Sequence, residues 1–271
     1  MPSISRTIEQ LLDRGEIAVV VTRVNGPGDI GAKLLINENG GVFGSFGDPQ
    51  LDTLVVDQAA RFLSSHEDTR LFSVHDFAPD FPSARETSLL FERLQPAPRL
   101  VVCGAGHVGA SLARLAAFTG YQTTLIDDRA EFLKRERFPE AQIELLVADD
   151  LDSAVRDAVG NGRGVSVAVV TRGHNEDEQC MQVAVRANPD YIGLIGSKRR
   201  TSIVIDRLRA GGIPEEQLKK IHAPIGLDIG AVTPEEVALA ILAEIIATRR
   251  NASGASLSAW RRKSSQATKG T

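Results

Sequence analysis

The segment Leu100-Val101-Val102-Cys103-Gly104-Ala105-Gly106-His107-Val108-Gly109 constrains this chain more than any other. An apolar run leads into G-x-G-x-x-G, and a helical pattern from Val108 to Phe118 follows until Gly120 stops it. Each glycine serves a different physical purpose. Gly104 permits a tight turn, Gly106 lets the backbone approach a ligand closely, and Gly109 allows helix-on-strand packing. The start of the helix, beside His107, then offers open N–H groups and a positive dipole end to a phosphate or pyrophosphate. A second strand, Thr123 to Ile126, ends at Asp127, where a carboxylate can accept from ribose hydroxyls, with Asp128 as its rival. The bland alternative is a nucleotide-binding fold kept without a ligand.

The same punctuation continues downstream. Strands are expected at Ile143–Val147, Val165–Val170 and Tyr191–Ile195, with helices near Glu131–Glu136, Glu176–Ala187 and Ser197–Ala210. A last helix opens at Thr233-Pro234-Glu235-Glu236 and runs to about Ala247. Apolar strands separated by helices imply a parallel sheet covered on both faces. Upstream the pattern differs: an amphipathic helix from Ile4 to Leu12, a strand from Ile17 to Val24, and a hairpin around Asn37–Gly41. Asp48-Pro49 then starts a helix, and further strands are expected at Leu71–Val74 and Ser88–Leu94. The expected fold class is α/β, a small mixed α/β domain over 1–94 followed by a Rossmann-like parallel-sheet domain over 99–248. Gln95-Pro96-Ala97-Pro98 is the linker, and 249–271, poor in apolar residues, is expected to be disordered.

Two further strand ends carry polar residues on the edge where parallel sheets bind ligands. Thr171-Arg172-Gly173-His174 offers Arg172 as an anion contact and His174 as the one candidate catalytic proton shuttle, or as a plain helix-start residue. Gly196-Ser197-Lys198-Arg199-Arg200 combines small residues, a helix start and three cations, suited to a second anionic group or to a solvated basic face. The segment His222-Ala223-Pro224-Ile225-Gly226-Leu227-Asp228-Ile229-Gly230 either closes over the site through His222 or Asp228, or only packs. The five histidines are scattered and show no metal-ligand spacing. Cys103 and Cys180 read as core residues and exclude a disulfide framework. A net charge of −4 argues against a nucleic-acid partner, and no apolar run nears the ~20 residues of a membrane span. A cytoplasmic protein is expected.

Together, G-A-G-H-V-G, T-R-G-H, Y-I-G-L-I-G-S-K-R-R and H-A-P-I-G-L-D-I-G make the chain resemble the XdhC/CoxI family over Arg99–Ala247. That family comprises accessory proteins of xanthine dehydrogenase and related molybdenum hydroxylases. The resemblance implies binding of molybdenum cofactor, as molybdopterin or its dinucleotide, and delivery to an apo molybdenum hydroxylase. It also implies a homodimer, and a cysteine desulfurase or cofactor nucleotidyltransferase as further partners. The expectation is therefore a cofactor-binding chaperone rather than an enzyme. An NAD(P)-dependent oxidoreductase using His174, and a nucleotide-sensing interaction module, are the alternatives.

The amino-terminal half departs from the family pattern. In the Ser-x-Pro-Arg-x-x-Gly-Ala segment, Pro27, Gly31 and Ala32 are kept, but Gly28 stands at the arginine position. In Gly-Ser-x-Ser-Gly-Gly-Cys-x-Glu, Gln50 replaces the cysteine and Asp52 the glutamate. A glutamine amide can hydrogen-bond a pterin edge but can neither hold molybdenum nor carry a persulfide.

Overall fold

α1 (Ile4–Asp13) lays Ile8 and Leu11 against Ala18, Val20 and Leu35, one face of an antiparallel sheet. The sheet is built from β1 (Ala18–Asn25), β2 (Lys33–Asn37), β3 (Val42–Gly44), β4 (Thr69–Ser73) and β5 (Ser88–Leu94). Its order is β3-β2-β1-β5-β4, antiparallel throughout. Strand alternation sends Val19 and Val21 to the opposite face, where α2 (Pro49–Ser64) covers them with Leu51, Val55, Ala59 and Phe62. Asp48 caps α2 by accepting from the N–H groups of Gln50 and Leu51, and Pro49 occupies the position where a missing N–H costs nothing. The computed structural model describes residues 4–65 and 67–258, and the chain divides into two units, Met1–Pro96 and Ala97–Thr271.

The second unit contains β6 (Arg99–Cys103), α3 (His107–Phe118), β7 (Gln122–Asp127), β8 (Ile143–Val147), α4 (Leu151–Val159) and β9 (Val165–Val169). It continues with α5 (His174–Arg186), β10 (Tyr191–Leu194), α6 (Lys198–Ala210), α7 (Glu215–Leu218), β11 (Ile221–His222) and α8 (Pro234–Arg249). All strands are parallel, in the order β11-β10-β9-β6-β7-β8. Counted within the unit this is 6-5-4-1-2-3, the doubly wound Rossmann order, whose direction reverses between β6 and β9. One face packs on α3 and α8 through Leu112, Ala116, Ala238 and Ile241. The other packs on α4, α5 and α6 through Val155, Met181, Ala184 and Val204.

Several elements differ from expectation. The helix expected at Glu131–Glu136 is two 3-10 turns, Ala130–Phe132 and Arg135–Arg137. Side chains take the carbonyls a helix would use: Arg137 donates to Phe132 O and Arg135 to Phe138 O. Pro139 follows, and Phe138, with φ −133 and ψ 76, has left the helical region that proline disfavours in the residue before it. Conversely, α4 forms where no helix is expected, although Asp150 caps it and Leu151, Val155 and Val159 recur at a four-residue spacing. The His222 segment contributes a short edge strand, β11, beside β10. Residues 259–271 of the expected disordered tail lie outside the described residues. Among the described residues, no helix is long and apolar enough to cross a membrane.

Candidate functional site

A cleft of about 510 Å³ opens at the carboxyl ends of the parallel strands, around the point where the strand order reverses. The turn after β6 forms its floor. Gly104 has φ +110, and a Cβ there would lie 2.7 Å from Val170 O, so both conformation and space demand glycine. A Cβ at Gly109 would land on Gly104 O, which lets α3 start tight against the strand end. Gly106 is different: a Cβ there would meet nothing within 4 Å. Its bare side faces the cleft at the N-terminus of α3, where no side chain caps the helix. His107, exposed, and Val108 line the cleft beside it.

Asp127 ends β7 as expected, but its carboxylate is spoken for. Oδ2 accepts from Ala105 N–H at 2.7 Å and from Arg129 Nη2 at 2.9 Å. Oδ1 accepts from the backbone N–H of Arg129 at 3.0 Å and from its Nε at 2.8 Å. Burial alone would raise this carboxyl, but the bonds from Arg129 and Ala105 outweigh it and bring the pKa down to about 2. Asp127 is therefore a brace for the glycine loop, holding Ala105 from below. Asp128 is half-exposed, lines the cleft and pairs with Arg172 at 3.0 Å. Arg129 also packs 3.9 Å over the Phe132 ring, and both residues line the cleft.

The facing rim comes from the ends of β9 and β10. Thr171, Arg172, Gly196 and Arg200 line the cleft there, whereas Lys198 and Arg199 are exposed and do not. Ser197 caps α6 by accepting from Arg200 N–H at 3.2 Å. Arg200 is committed to Asp177, which is fully buried: its Nε lies 2.9 Å from Oδ2, and its Nη2 reaches the same oxygen. Thr171 Oγ1 donates to the other Asp177 oxygen at 2.5 Å. Asp177 thus ties the β9 turn to the start of α6. Sequence reasoning missed it; an acid in the first turn of α5, directly after a polar strand-end turn, was the available signal. His174 is the first residue of α5, and its side chain lies outside what the structure describes.

His222 and Asp228 do not line the cleft. His222 instead stacks on Tyr191, with centroids 4.5 Å apart, and its Nδ1 lies 3.5 Å from Glu244 Oε1. Glu244 also accepts from Tyr191 O–H and from Gly226 N–H, so this segment packs on α8. Cys103 and Cys180 are both buried in the core, not in the cleft. In the first unit, Asp52 accepts from Ser45 O–H and Phe46 N–H, bracing the turn before α2.

The chain matches known proteins in sequence and in fold. Residues 100–245 match the XdhC Rossmann domain family and residues 11–75 the XdhC and CoxI family. The chain belongs to the XdhC/CoxI family. A probable xanthine dehydrogenase subunit of Bacillus subtilis (strain 168) is 34% identical over 170 residues, covering 60% of this chain and 47% of that protein. The molybdenum cofactor insertion chaperone PaoD of Escherichia coli (strain K12) is 27% identical over 155 residues, covering 57% of this chain and 41% of that one. A crystal structure of a xanthine dehydrogenase from Bacillus halodurans superposes with a TM-score of 0.51 at 19% identity, covering 94% of this chain and 98% of that chain. At that identity the likeness is one of fold. The chain spans less than half the length of the curated relatives it matches.

Proposed function

We propose that this XdhC/CoxI-family chain is an accessory factor that binds molybdenum cofactor as cargo and delivers it to an apo molybdenum hydroxylase. The observation that carries the reading is the contrast among the three glycines. Gly104 and Gly109 are glycine because the protein itself fills the space, whereas Gly106 is bare toward a cleft. A helix N-terminus with uncapped N–H groups and a bare Cα is fitted to a phosphate, which molybdopterin and its dinucleotide both carry. His107 and Arg172 stand nearby to contact it, and the names of the relatives agree with this cargo. In the dinucleotide form, Asp128 rather than Asp127 is the carboxylate available to ribose hydroxyls. Arg129 over Phe132 offers a flat cationic edge to a ring.

An NAD(P)-dependent oxidoreductase would use the same cleft and the same Asp128, and is separated from this reading by its need for a proton donor such as His174. Gentle anaerobic purification followed by mass spectrometry tests the proposal. A pterin bearing phosphate or a nucleotide, carried by the wild type and lost in Gly106→Val, is the expected result. Equal cofactor binding by Gly106→Val, or steady NADH turnover dependent on His174, overturns it.

A further inference from the structure

The first unit contains a buried cation that has no anionic partner among the described residues. Arg23, near the end of β1, is 3% exposed. Its Nη2 donates to the Phe46 carbonyl at 3.3 Å, and its guanidinium carbon lies 5.1 Å from the Phe46 ring centroid. Its Nε is buried with no hydrogen-bond partner among the described residues. Among the described residues, no carboxylate comes within ion-pair distance of it. One long hydrogen bond to a neutral carbonyl and one aromatic face are weak return for taking a guanidinium out of water. Buried arginines are otherwise paired or bound to an anion.

The loop above it is shaped around this head group. Gly28 has φ +95, and a Cβ there would overlap Arg23 Nη1. Gly28 itself is exposed, so the edge of the guanidinium lies one glycine beneath the surface. A side chain at position 28 would have to displace the Arg23 head group and adopt a left-handed φ, which gives a physical reason for glycine where the family pattern has arginine. On the other side, the Phe46 carbonyl belongs to the turn that leads into α2, so Arg23 joins the two loops that flank it.

We infer that Arg23 is the seat of an oxyanion-binding site in the amino-terminal unit, taking the phosphate or carboxylate group of a small molecule between the Gly26–Gly31 loop and the Phe46 turn. The inference stands on the first unit alone and does not depend on the cargo assigned to the glycine loop.

Hydrogen exchange of the full-length protein, read by mass spectrometry, tests it. The probes are inorganic phosphate, pyrophosphate and acetate, each against chloride at matched ionic strength. Slowed exchange over residues 23–31 and 44–48 is expected with at least one probe, and its loss in Arg23→Met. Phosphate-class and acetate responses distinguish a phosphate ester from a carboxylate ligand. Any response at residues 104–110 should persist in Arg23→Met, which separates this site from the glycine loop. In chloride, Arg23→Met should melt at a higher temperature than wild type, because an unpaired buried charge has been replaced by a thioether of similar length. A purely structural arginine would give the opposite. No response to any probe, an equal response in Arg23→Met, or a less stable or unfolded Arg23→Met overturns the inference.

Discussion

Arg129 folds back onto Asp127, two residues earlier in the chain, with Nε 2.8 Å from Oδ1 and Nη2 2.9 Å from Oδ2. The turn after β7 is thereby closed on itself, and the same carboxylate reaches across to hold Ala105 in the glycine loop. A residue that reads as a ligand contact from its position at a strand end also lines the cleft and ties two of its loops together.

That anchor has a pH signature. The Asp127 carboxyl is brought down to about 2 in the folded chain. Its stabilisation is thus full above the ordinary carboxylate pKa of about 4 and is lost as pH falls toward 2. At neutral pH we expect Asp127→Asn to cost roughly 2 kcal/mol, the size of that displacement. Denaturant melts of both proteins from pH 7 downward check this: the gap between them should narrow below about pH 4. A gap that stays constant to pH 2 would show that the charge of Asp127 is not what matters.

The pair on the opposite rim should be asymmetric. Asp177 is fully buried, whereas the Arg200 side chain is 25% exposed. Removing the guanidinium in Arg200→Met takes a cationic partner away from a buried carboxylate, and should cost about 3 kcal/mol. Asp177→Asn leaves a cation that can reach water, and should cost less. The double variant Arg200→Met with Asp177→Leu should recover part of the loss, since a well-packed apolar pair can replace a buried ion pair. Urea unfolding of the three variants gives the comparison; equal single losses would overturn the asymmetry.

How far the sequence discloses this site depends on which interactions are local. The glycine loop, the strand before it and the caps at Asp48 and Thr233 are short-range patterns, and all take the form their spacing predicts. The Rossmann sheet follows from apolar runs that repeat with helices between them. What the pattern does not disclose is the pairing of charges. Lys198, Arg199 and Arg200 look alike as a basic run, yet the partner that distinguishes Arg200 lies 23 residues away in α5. Asp127 is in place, but Arg129 competes for its oxygens through a turn that periodicity does not specify. The region after it fails as a helix for the same reason: arginine side chains and Pro139 decide the backbone there.

The glycines allow a separation of folding from binding. Alanine at Gly109 places a methyl on Gly104 O, so Gly109→Ala should destabilise the protein by about 1–3 kcal/mol, as overpacking does. Alanine at Gly106 meets no protein atom, so Gly106→Ala should melt within about 0.5 kcal/mol of wild type. Its effect should appear in binding of a pyrophosphate-bearing ligand, followed by calorimetry. If Gly106→Ala unfolds as readily as Gly109→Ala, the two glycines do not divide packing and binding between them.

The two cysteines provide the last test, because sulfur handling needs an accessible thiolate. Cys103 and Cys180 are both fully buried in the sheet-to-helix core. The Cys180 thiol beside it, together with burial, pushes the Cys103 thiol well above its ordinary pKa, so the reactive form is suppressed further. Gln50 supplies no thiol in the first unit. Neither cysteine should react with Ellman's reagent in the native protein at pH 8, and both should react once it is unfolded in guanidinium. For the same reason, a cysteine desulfurase supplied with labelled cysteine should leave no persulfide on this chain, so any sulfur that reaches the cargo would be added elsewhere. Rapid native labelling of either thiol, or a persulfide found on it, would overturn this and make the chain a sulfur carrier as well as a cofactor carrier.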